Sequence, residues 1–215
     1  AELLSTTVVV DRRQRAVSLG TSLAHATGPG GVTWLEELGP SLDNVQLSDA
    51  AAALLKSMRW VGPATVRWVR PGGQTTFWQS ATMRLTTAYD LTEAVQGVDL
   101  VAAHHDALVG RPLNWPDDRV TPTRTGFQAR LLHGDAQGRQ VEGVLERLQL
   151  PAAATVGVDE GSVLGPETEP LLAKITVVED SRASAVASLR AALDQVAAEG
   201  VPTNLAGLRE AAAKL

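Results

Sequence analysis

The sequence predicts an α+β fold, in which neighbouring strands pair through tight turns and helices pack on them. One observation is the order helix, strand, tight turn and strand over residues 50–79, where Pro-Gly-Gly at 71–73 has the composition of a hairpin turn. A second is a strong strand pattern at 171–178, followed by a helix whose apolar residues recur with the 3.6-residue period.

The chain opens with a hairpin pattern. Residues 5–10 are rich in β-branched side chains and predict a strand, residues 11–15 form a polar turn, and residues 16–19 return as the partner strand. The glycine-rich segment 27–31 is a loop.

A helix and a second hairpin follow. Ser48 and Asp49 are candidate caps for a helix over residues 50–58. A strand is predicted at 65–69, and its partner returns from the turn over residues 74–79.

The centre of the chain contains the best candidate for an internal boundary. A long helix is predicted over residues 92–109, and the proline-rich segment 111–125 reads as a connector. We therefore expect two domains, over residues 1–110 and 111–215.

The second half alternates strands and helices. Besides the strand at 171–178, three short strands are predicted, at 127–132, 144–148 and 154–158. Asp180 or Ser181 caps a long helix that Gly200 stops, and Thr203 caps a last helix that runs to Lys214.

Composition excludes several classes of function. The 215 residues are 44% hydrophobic, carry a net charge of −5 and contain no cysteine, which argues against a nucleic-acid-binding face, disulfides and thiolate metal sites. No apolar run reaches the roughly 18 residues of a membrane span, and no secretory leader is apparent. We expect a cytoplasmic protein, and the start at Ala1 suggests a piece of a longer chain.

The most specific pattern lies near the C-terminus. It consists of EPLLAKI at 169–175, EDSRASA at 179–185, AAL at 191–193 and EGVPTN at 199–204. These segments resemble the end of a biotin carboxylase, which typically shows D-S-L-L-A-K-L-I, G-x-x-R-x-x-A, A-L and G-V-x-T-N at closely matching spacing.

The middle of the chain resembles the same family independently. Residues 60–68 resemble Y-x-G-A-G-T-V-E-F, residues 77–93 resemble Y-F-L-E-M-N-T-R-L-Q-V-E-H-P-V-T-E without a gap, and residues 97–101 resemble G-x-D-L-V. Residues 9–20 resemble the family's strand, turn and strand ending in H-L-G-E-R. The resemblance therefore covers nearly the whole chain.

This resemblance implies an ATP-grasp architecture. Residues 1–110 would form the second half of the ATP-grasp lobe, an antiparallel sheet with helices on one face, and residues 111–215 the biotin carboxylase C-terminal domain. The family uses ATP, Mg²⁺, bicarbonate and biotin, but we expect no cofactor for this chain alone, because the family's glycine-rich ATP lid lies upstream of the matching region.

The positions that carry the family's chemistry are altered. Its metal-binding Glu, Glu and Asn align with Arg67, Ser80 and Thr82. Its general base, a Glu, aligns with Ala88, and the substrate-orienting Gln aligns with Thr86. An arginine would repel Mg²⁺, and alanine has no titratable atom.

Two family positions are retained. Arg84 matches an arginine that contacts bicarbonate and biotin in the family, and Arg130 matches one that faces the phosphate or the biotin enolate. Two arginines can bind an anion, but each can equally pack and pair with a local carboxylate. His25 and His133 are isolated in the sequence and read as ordinary polar positions.

The sequence thus predicts a catalytically degenerate biotin carboxylase-like module with a structural or assembly role in a biotin-dependent acyl-CoA or pyruvate carboxylase system. Its partners would be a biotin carrier domain, a carboxylase paralogue or a second copy, and neither nucleic acid nor a membrane. One alternative is a part of a longer ATP-dependent ligase whose nucleotide-binding half is missing here. Another is a sensor that binds a small anion or cofactor through Arg84 and Arg130.

Overall fold

The computed structural model describes residues 1–73, 75–135 and 137–215. The chain divides into two compact units. The first unit comprises Ala1–Leu23 and Leu38–Gly126, and the second comprises Ala24–Glu37 and Phe127–Leu215.

Strands and helices alternate along the chain. In chain order, the strands of the described ranges are β1 (Glu2–Val10), β2 (Ala16–Thr27), β3 (Thr33–Leu38), β4 (Gly62–Arg70), β5 (Phe77–Thr82), β6 (Thr125–Leu132), β7 (Gly143–Val144), β8 (Arg147–Gln149), β9 (Ala154–Val156), β10 (Val163–Leu164), β11 (Leu171–Glu179) and β12 (Ala197–Glu199). The α-helices are α1 (Val45–Ser57), α2 (Tyr89–Gln96), α3 (Leu100–Val109), α4 (Arg182–Asp194) and α5 (Leu205–Ala213). The predicted α+β class is confirmed.

In the first unit the strand order is β5-β4-β1-β2. Strand β1 pairs antiparallel with β4 along its whole length, from Glu2 opposite Arg70 to Val10 opposite Gly62. Both predicted hairpin strands at the N-terminus are confirmed, and β2 runs eight residues beyond the predicted end at Leu19.

Helices cover both faces of this sheet, so the expectation of helices on one face is wrong. Strand side chains alternate between the two faces. On one face Leu4, Val8 and Val66 join Leu47 and Leu55 of α1 in a buried cluster. On the other face, a second buried cluster joins strand residues to residues of α3: Val9, Val17 and Leu19 with Leu100 and Ala103.

The long helix predicted over residues 92–109 is wrong. It is two helices, α2 and α3, separated at Gly97, which has a φ of 65° and ends α2 in the left-handed conformation. Asp99 then caps α3, its side chain accepting a hydrogen bond from the amide of Ala102 at 2.7 Å. Gly97 and the N-cap residue Asp99 thus interrupt the helix, although the apolar pattern continues through them.

Two further boundaries differ from prediction. Helix α1 begins at Val45, capped by Asn44, whose side chain accepts from the amide of Leu47, rather than by Ser48 or Asp49. The strand predicted at 74–79 is displaced toward the C-terminus as β5, and Gln74 itself lies outside the described residues.

In the second unit the strand order is β2-β3-β6-β11-β9, with β2 contributing its last residues. Its buried core includes Leu35, Phe127, Leu172, Ile175 and Leu189. Helix α4 packs on β11. The predicted cap Ser181 is confirmed, its side chain accepting from the amide of Ser184 at 3.1 Å.

Two predictions in the second unit need correction. Helix α4 ends at Asp194 instead of running to Gly200, because Ala197–Glu199 forms β12 and pairs with β8. The single strand predicted at 144–148 is the two short strands β7 and β8. Strand β3 was not predicted at all.

The two compact units contain other residues than the two domains expected from the sequence, 1–110 and 111–215. Residues 24–37 join the second unit, whereas residues 111–126 stay with the first. The connector is held there by Arg15, which donates to the carbonyls of Leu113 and Trp115, and by Gln96, which donates to the carbonyl of Val120.

Candidate functional site

The strand pair β4–β5 brings the three positions of the family's metal ligands together. Arg67 lies directly opposite Ser80, and Thr65 lies opposite Thr82. Residues opposite each other in an antiparallel pair share a face, with Cβ atoms roughly 4.5–5.5 Å apart. Arg67, Ser80 and Thr82 therefore form one cluster, as expected for positions that would share a ligand.

A bulge adjusts this register. Between Arg67 and Trp68 the pairing shifts, so that Trp68 lies opposite Trp78 and Gln79 has no partner on β4. A bulge re-aims side chains locally and increases the twist of the strand. Here it falls beside Ser80, at the position that the resemblance assigns to the family's second Glu.

The donor set of this cluster does not fit a divalent cation. Mg²⁺ takes carboxylate, carbonyl and water oxygens. Arg67 presents only N–H donors and a positive charge, and Ser80 and Thr82 are neutral hydroxyls. In the part of the chain that the structure describes, no group of three or more His, Asp or Glu side chains is placed to hold a metal ion.

The positions of the base and of the substrate-orienting residue lie in the turn before α2. Ala88 is the N-cap residue of α2 and makes no side-chain cap. The carbonyl of Thr86 accepts a hydrogen bond from the amide of Tyr89 at 3.1 Å. This turn contains Asp90 as the acidic residue of the first helical turn, but Ala88 itself can move no proton.

Arg84 lies in the first unit, just beyond the end of β5, and is exposed. Its Nη1 donates to the carbonyl of Leu85 at 3.2 Å. Among residues 1–73, 75–135 and 137–215, no carboxylate forms an ion pair with it. Its guanidinium therefore remains available to an external anion.

Arg130 lies in the second unit, and its surroundings are different. Its side chain is 7% exposed, and its Nη2 donates to Oε2 of Glu36, also 7% exposed, at 2.5 Å. Nε donates to Gln128 Oε1 at 3.0 Å, and Nη1 to the carbonyl of Thr33 at 3.1 Å. The geometry of Arg130 therefore matches the alternative in which the arginine packs and pairs with a local carboxylate instead of binding an external anion.

A second buried ion cluster was missed in the sequence. Nε2 of His25 lies 2.5 Å from Oε2 of Glu37, and Arg182 donates from Nε and Nη2 to the two carboxylate oxygens at 2.8 and 3.0 Å. The interpretation of His25 as isolated was therefore wrong. The guanidinium of Arg182 also lies 5.7 Å from the ring centre of Phe127.

The cluster controls the ionisation of Glu37. Burial of its side chain, which is 2% exposed, raises the pKa. Hydrogen bonds and charge from His25 and Arg182 outweigh burial, and the pKa of Glu37 lies below its ordinary value of 4.5. Arg182 occupies the arginine position of the G-x-x-R-x-x-A pattern, which was the signal available in the sequence.

A cavity of about 410 Å³ opens beside this cluster, within the second unit. Its lining combines His25 and Trp34 with Lys214 and Glu210 of the C-terminal segment. Lys214 Nζ lies 2.6 Å from Glu210 Oε1, and this contact lowers the pKa of Glu210.

Within the described ranges, no helix is both long and apolar enough to cross a membrane.

Comparison with known proteins shows a similarity to biotin carboxylases. Residues 128–214 match the family model of the biotin carboxylase C-terminal domain. The chain is 25% identical over 167 residues to the alpha subunit of mitochondrial methylcrotonoyl-CoA carboxylase from Mus musculus, covering 74% of this chain and 23% of that protein. It is 24% identical over 170 residues to the biotin carboxylase of Halalkalibacterium halodurans, covering 77% and 38%.

Solved structures agree in fold. The biotin carboxylase domain of 2-oxoglutarate carboxylase from Hydrogenobacter thermophilus superposes with a TM-score of 0.87 at 18% identity, covering 99% of this chain and 49% of that one. At this identity the likeness establishes the fold. The predicted resemblance to the C-terminal half of biotin carboxylases is confirmed, and the chain spans less than half the length of these relatives.

Proposed function

We propose that this chain is a catalytically degenerate biotin carboxylase-like module with a structural or assembly role in a biotin-dependent acyl-CoA or pyruvate carboxylase system. The observation that carries the proposal is the pairing of Arg67 with Ser80 on β4–β5. The strand pair that would hold the metal is intact, whereas its side chains are a cation and hydroxyls.

The altered chemistry affects two separate requirements of the family reaction. Phosphoryl transfer from ATP needs a divalent cation held by carboxylates, and Arg67, Ser80 and Thr82 supply none. Deprotonation of bicarbonate needs a positioned base, and Ala88 supplies none. Losing both supports a module that requires none of ATP, Mg²⁺, bicarbonate or biotin for its own role.

Retention of the fold supports the assembly role. The chain reproduces the fold of a biotin carboxylase domain over 99% of its length, although the positions for chemistry are altered. Surfaces that a partner recognises depend on the fold and on exposed side chains, not on metal ligands. A biotin carrier domain, an active carboxylase paralogue or a second copy of the chain are therefore the proposed partners.

The proposal is tested by bicarbonate-dependent ATP cleavage in the presence of free biotin. We expect phosphate release from the purified chain to equal that of a protein-free blank, with an active biotin carboxylase as the positive control. Turnover above the blank that requires bicarbonate would show that the module is an enzyme.

The assembly role needs a separate binding measurement. Size-exclusion chromatography with light scattering, on the chain alone and mixed with a biotinylated carrier domain or an active biotin carboxylase subunit, should reveal a complex with at least one of the three proposed partners. A chain that stays monomeric in every mixture would contradict this role.

One observation favours a second candidate function. The chain covers only 49% of a biotin carboxylase domain of the same fold. This coverage supports the alternative that the chain is one part of a longer ATP-dependent ligase, whose nucleotide-binding half is a separate region. The gene sequence upstream of Ala1 discriminates the two. A glycine-rich ATP lid there favours the ligase, and its absence favours the assembly module.

A further inference from the structure

One face of the first unit's sheet carries a patch of hydroxyls around a single guanidinium. Strands β1, β4 and β5 are in register, so that Ser5, Arg67 and Ser80 form one row across the sheet. The next row on the same face is Thr7, Thr65 and Thr82. We call these six residues the hydroxyl patch.

The hydroxyl patch is bounded by apolar side chains. On one side the adjacent row on this face is Leu3, Val69 and Phe77, and on the other side Val9 lies opposite Pro63. Helix α3 packs on Val9. The residues of the patch are half-buried, apart from the more deeply buried Thr65. No carboxylate lies in these rows to neutralise Arg67.

The polar side chains of Ser5, Thr7, Arg67, Ser80 and Thr82 have no hydrogen-bond partners within the described protein. Arg67 forms no ion pair and no side-chain hydrogen bond with residues 1–73, 75–135 or 137–215. Over the same ranges, the hydroxyls of Ser5, Thr7, Ser80 and Thr82 are likewise without a protein hydrogen-bond partner. The contrast on the opposite face is clear, because Thr6 there bonds both Thr21 and Trp68, at 2.9 and 3.0 Å.

The chemistry of these groups matches an oxyanion. A guanidinium offers five N–H donors and no acceptor, and each hydroxyl rotates to donate to an external acceptor. Charge-assisted bonds from arginine to phosphate are among the strongest in proteins. Phosphate oxygens accept several bonds at once, which suits donors spread over two rows of three strands.

We propose that the hydroxyl patch binds a phosphate-class oxyanion directly, without a divalent cation. At the position where the family holds a metal through carboxylates, Arg67 supplies the positive charge itself. The inference goes beyond the proposed function, since an assembly role needs no ligand. It also differs from an anion site at Arg84 and Arg130, because Arg130 is already bound to Glu36.

The test is a titration of the full chain with inorganic phosphate, followed by ¹⁵N-resolved amide spectra in buffer containing EDTA. We expect saturable shifts at residues 5–7, 65–67 and 80–82. Arg67→Gln should weaken binding by about tenfold or more, the loss expected for a charge-assisted hydrogen bond, and Ser80→Ala with Thr82→Ala should weaken it further.

Arg70→Gln is the matched control. Arg70 lies on the same strand but projects to the opposite face, where it bonds Glu2 and Thr76, so its removal changes net charge equally. Phosphate affinity should then change little. Circular dichroism of each variant shows whether the fold is retained.

Three results would overturn the proposal: no saturable shift, a shift that appears only when Mg²⁺ is added, or equal losses in Arg67→Gln and Arg70→Gln. A parallel titration with ADP identifies the source of the phosphate. Tighter binding of ADP than of inorganic phosphate assigns a nucleotide, and equal binding assigns the free anion. The ATP-cleavage assay is independent, so turnover would refute the degenerate module and leave this binding result unchanged.

Discussion

Arg84 and Arg130 both align with arginines of the biotin carboxylase pattern, yet their surroundings differ. Arg84 is exposed and donates to a backbone carbonyl, whereas Arg130 is buried against Glu36, Gln128 and Thr33. Sequence alone could not separate the two, because Glu36 lies 94 positions from Arg130. What distinguishes them is burial, and burial depends on the fold.

Replacing Arg130 should therefore destabilise the protein far more than replacing Arg84. Arg130→Ala breaks a buried ion pair with Glu36, at a cost of about 3–5 kcal/mol. Arg84→Ala removes an exposed side chain and should change stability by about 0.5 kcal/mol or less. Urea unfolding of the two variants measures the difference, and equal midpoints would contradict the burial argument.

Glu37 gives the second unit a pH dependence. The pKa of this carboxyl is lowered in the folded protein by His25 and Arg182. A group whose folded pKa lies below its unfolded value stabilises the fold above the unfolded pKa. That contribution is lost as pH falls below about 4.5, the ordinary value, toward the lowered one.

Glu37→Gln should flatten this dependence. The wild-type chain should lose more stability than the variant when the pH of urea unfolding is lowered from 6 to values below the ordinary carboxyl pKa. Glu210→Gln is the control, because the ion pair of that carboxyl with Lys214 is exposed and contributes little to stability. If wild type and Glu37→Gln lost stability in parallel, the ion cluster would not be the source.

At the scale of elements, patterns of apolar periodicity located most strands and helices but not their ends. Strand β3 was missed because its sequence, TWLEEL, places two carboxylates in a row that reads as solvent-exposed. Both are buried against arginines far along the chain. Helices α2 and α3 were merged because the apolar period continues through Gly97, whose left-handed conformation is a local backbone event.

The β4–β5 pair was predicted as a hairpin, and the register adds which side chains lie opposite one another. Arg67, Ser80 and Thr82 do share one face, together with Ser5 and Thr7 of β1. The alignment with the family identified the first three. The contribution of β1 could not be seen, since it depends on which strand lies beside β4.

Restoring the family's ligands on this strand pair should restore metal binding. Arg67→Glu with Ser80→Glu and Thr82→Asn places two carboxylates and an amide on one face of adjacent strands, which suits Mn²⁺ or Mg²⁺. Mn²⁺ electron paramagnetic resonance should show saturable binding to the triple variant and none to wild type. A folded variant that binds no Mn²⁺ would mean that the register does not assemble the site.

At the scale of the whole molecule, the two compact units do not follow a single cut in the chain. Residues 24–37 supply Leu35 to the core of the second unit and Glu36 and Glu37 to its ion pairs. The proline-rich segment 111–125 belongs to the first unit, and sequence could not show that residues 24–37 complete the second unit.

A fragment of residues 111–215 should therefore fail to fold. It lacks β3, so Arg130 and Arg182 would lose their carboxylates and the core would lose Leu35. We expect a poorly dispersed amide spectrum. Fusing residues 24–37 ahead of 127–215 through a flexible glycine-serine linker should restore dispersion, and a well-dispersed spectrum from 111–215 alone would contradict this account.

The position of β3 also has a consequence for synthesis on the ribosome. Glu36 emerges 94 residues before Arg130, and Glu37 emerges 145 residues before Arg182. During that interval both carboxylates must remain hydrated, and the β3 segment has no finished core to enter. Loop closure over such distances is entropically costly and slow. The nascent chain thus exposes the edge of β3 that later pairs with β6 until late in translation, which is when we expect a chaperone or partner subunit to engage it.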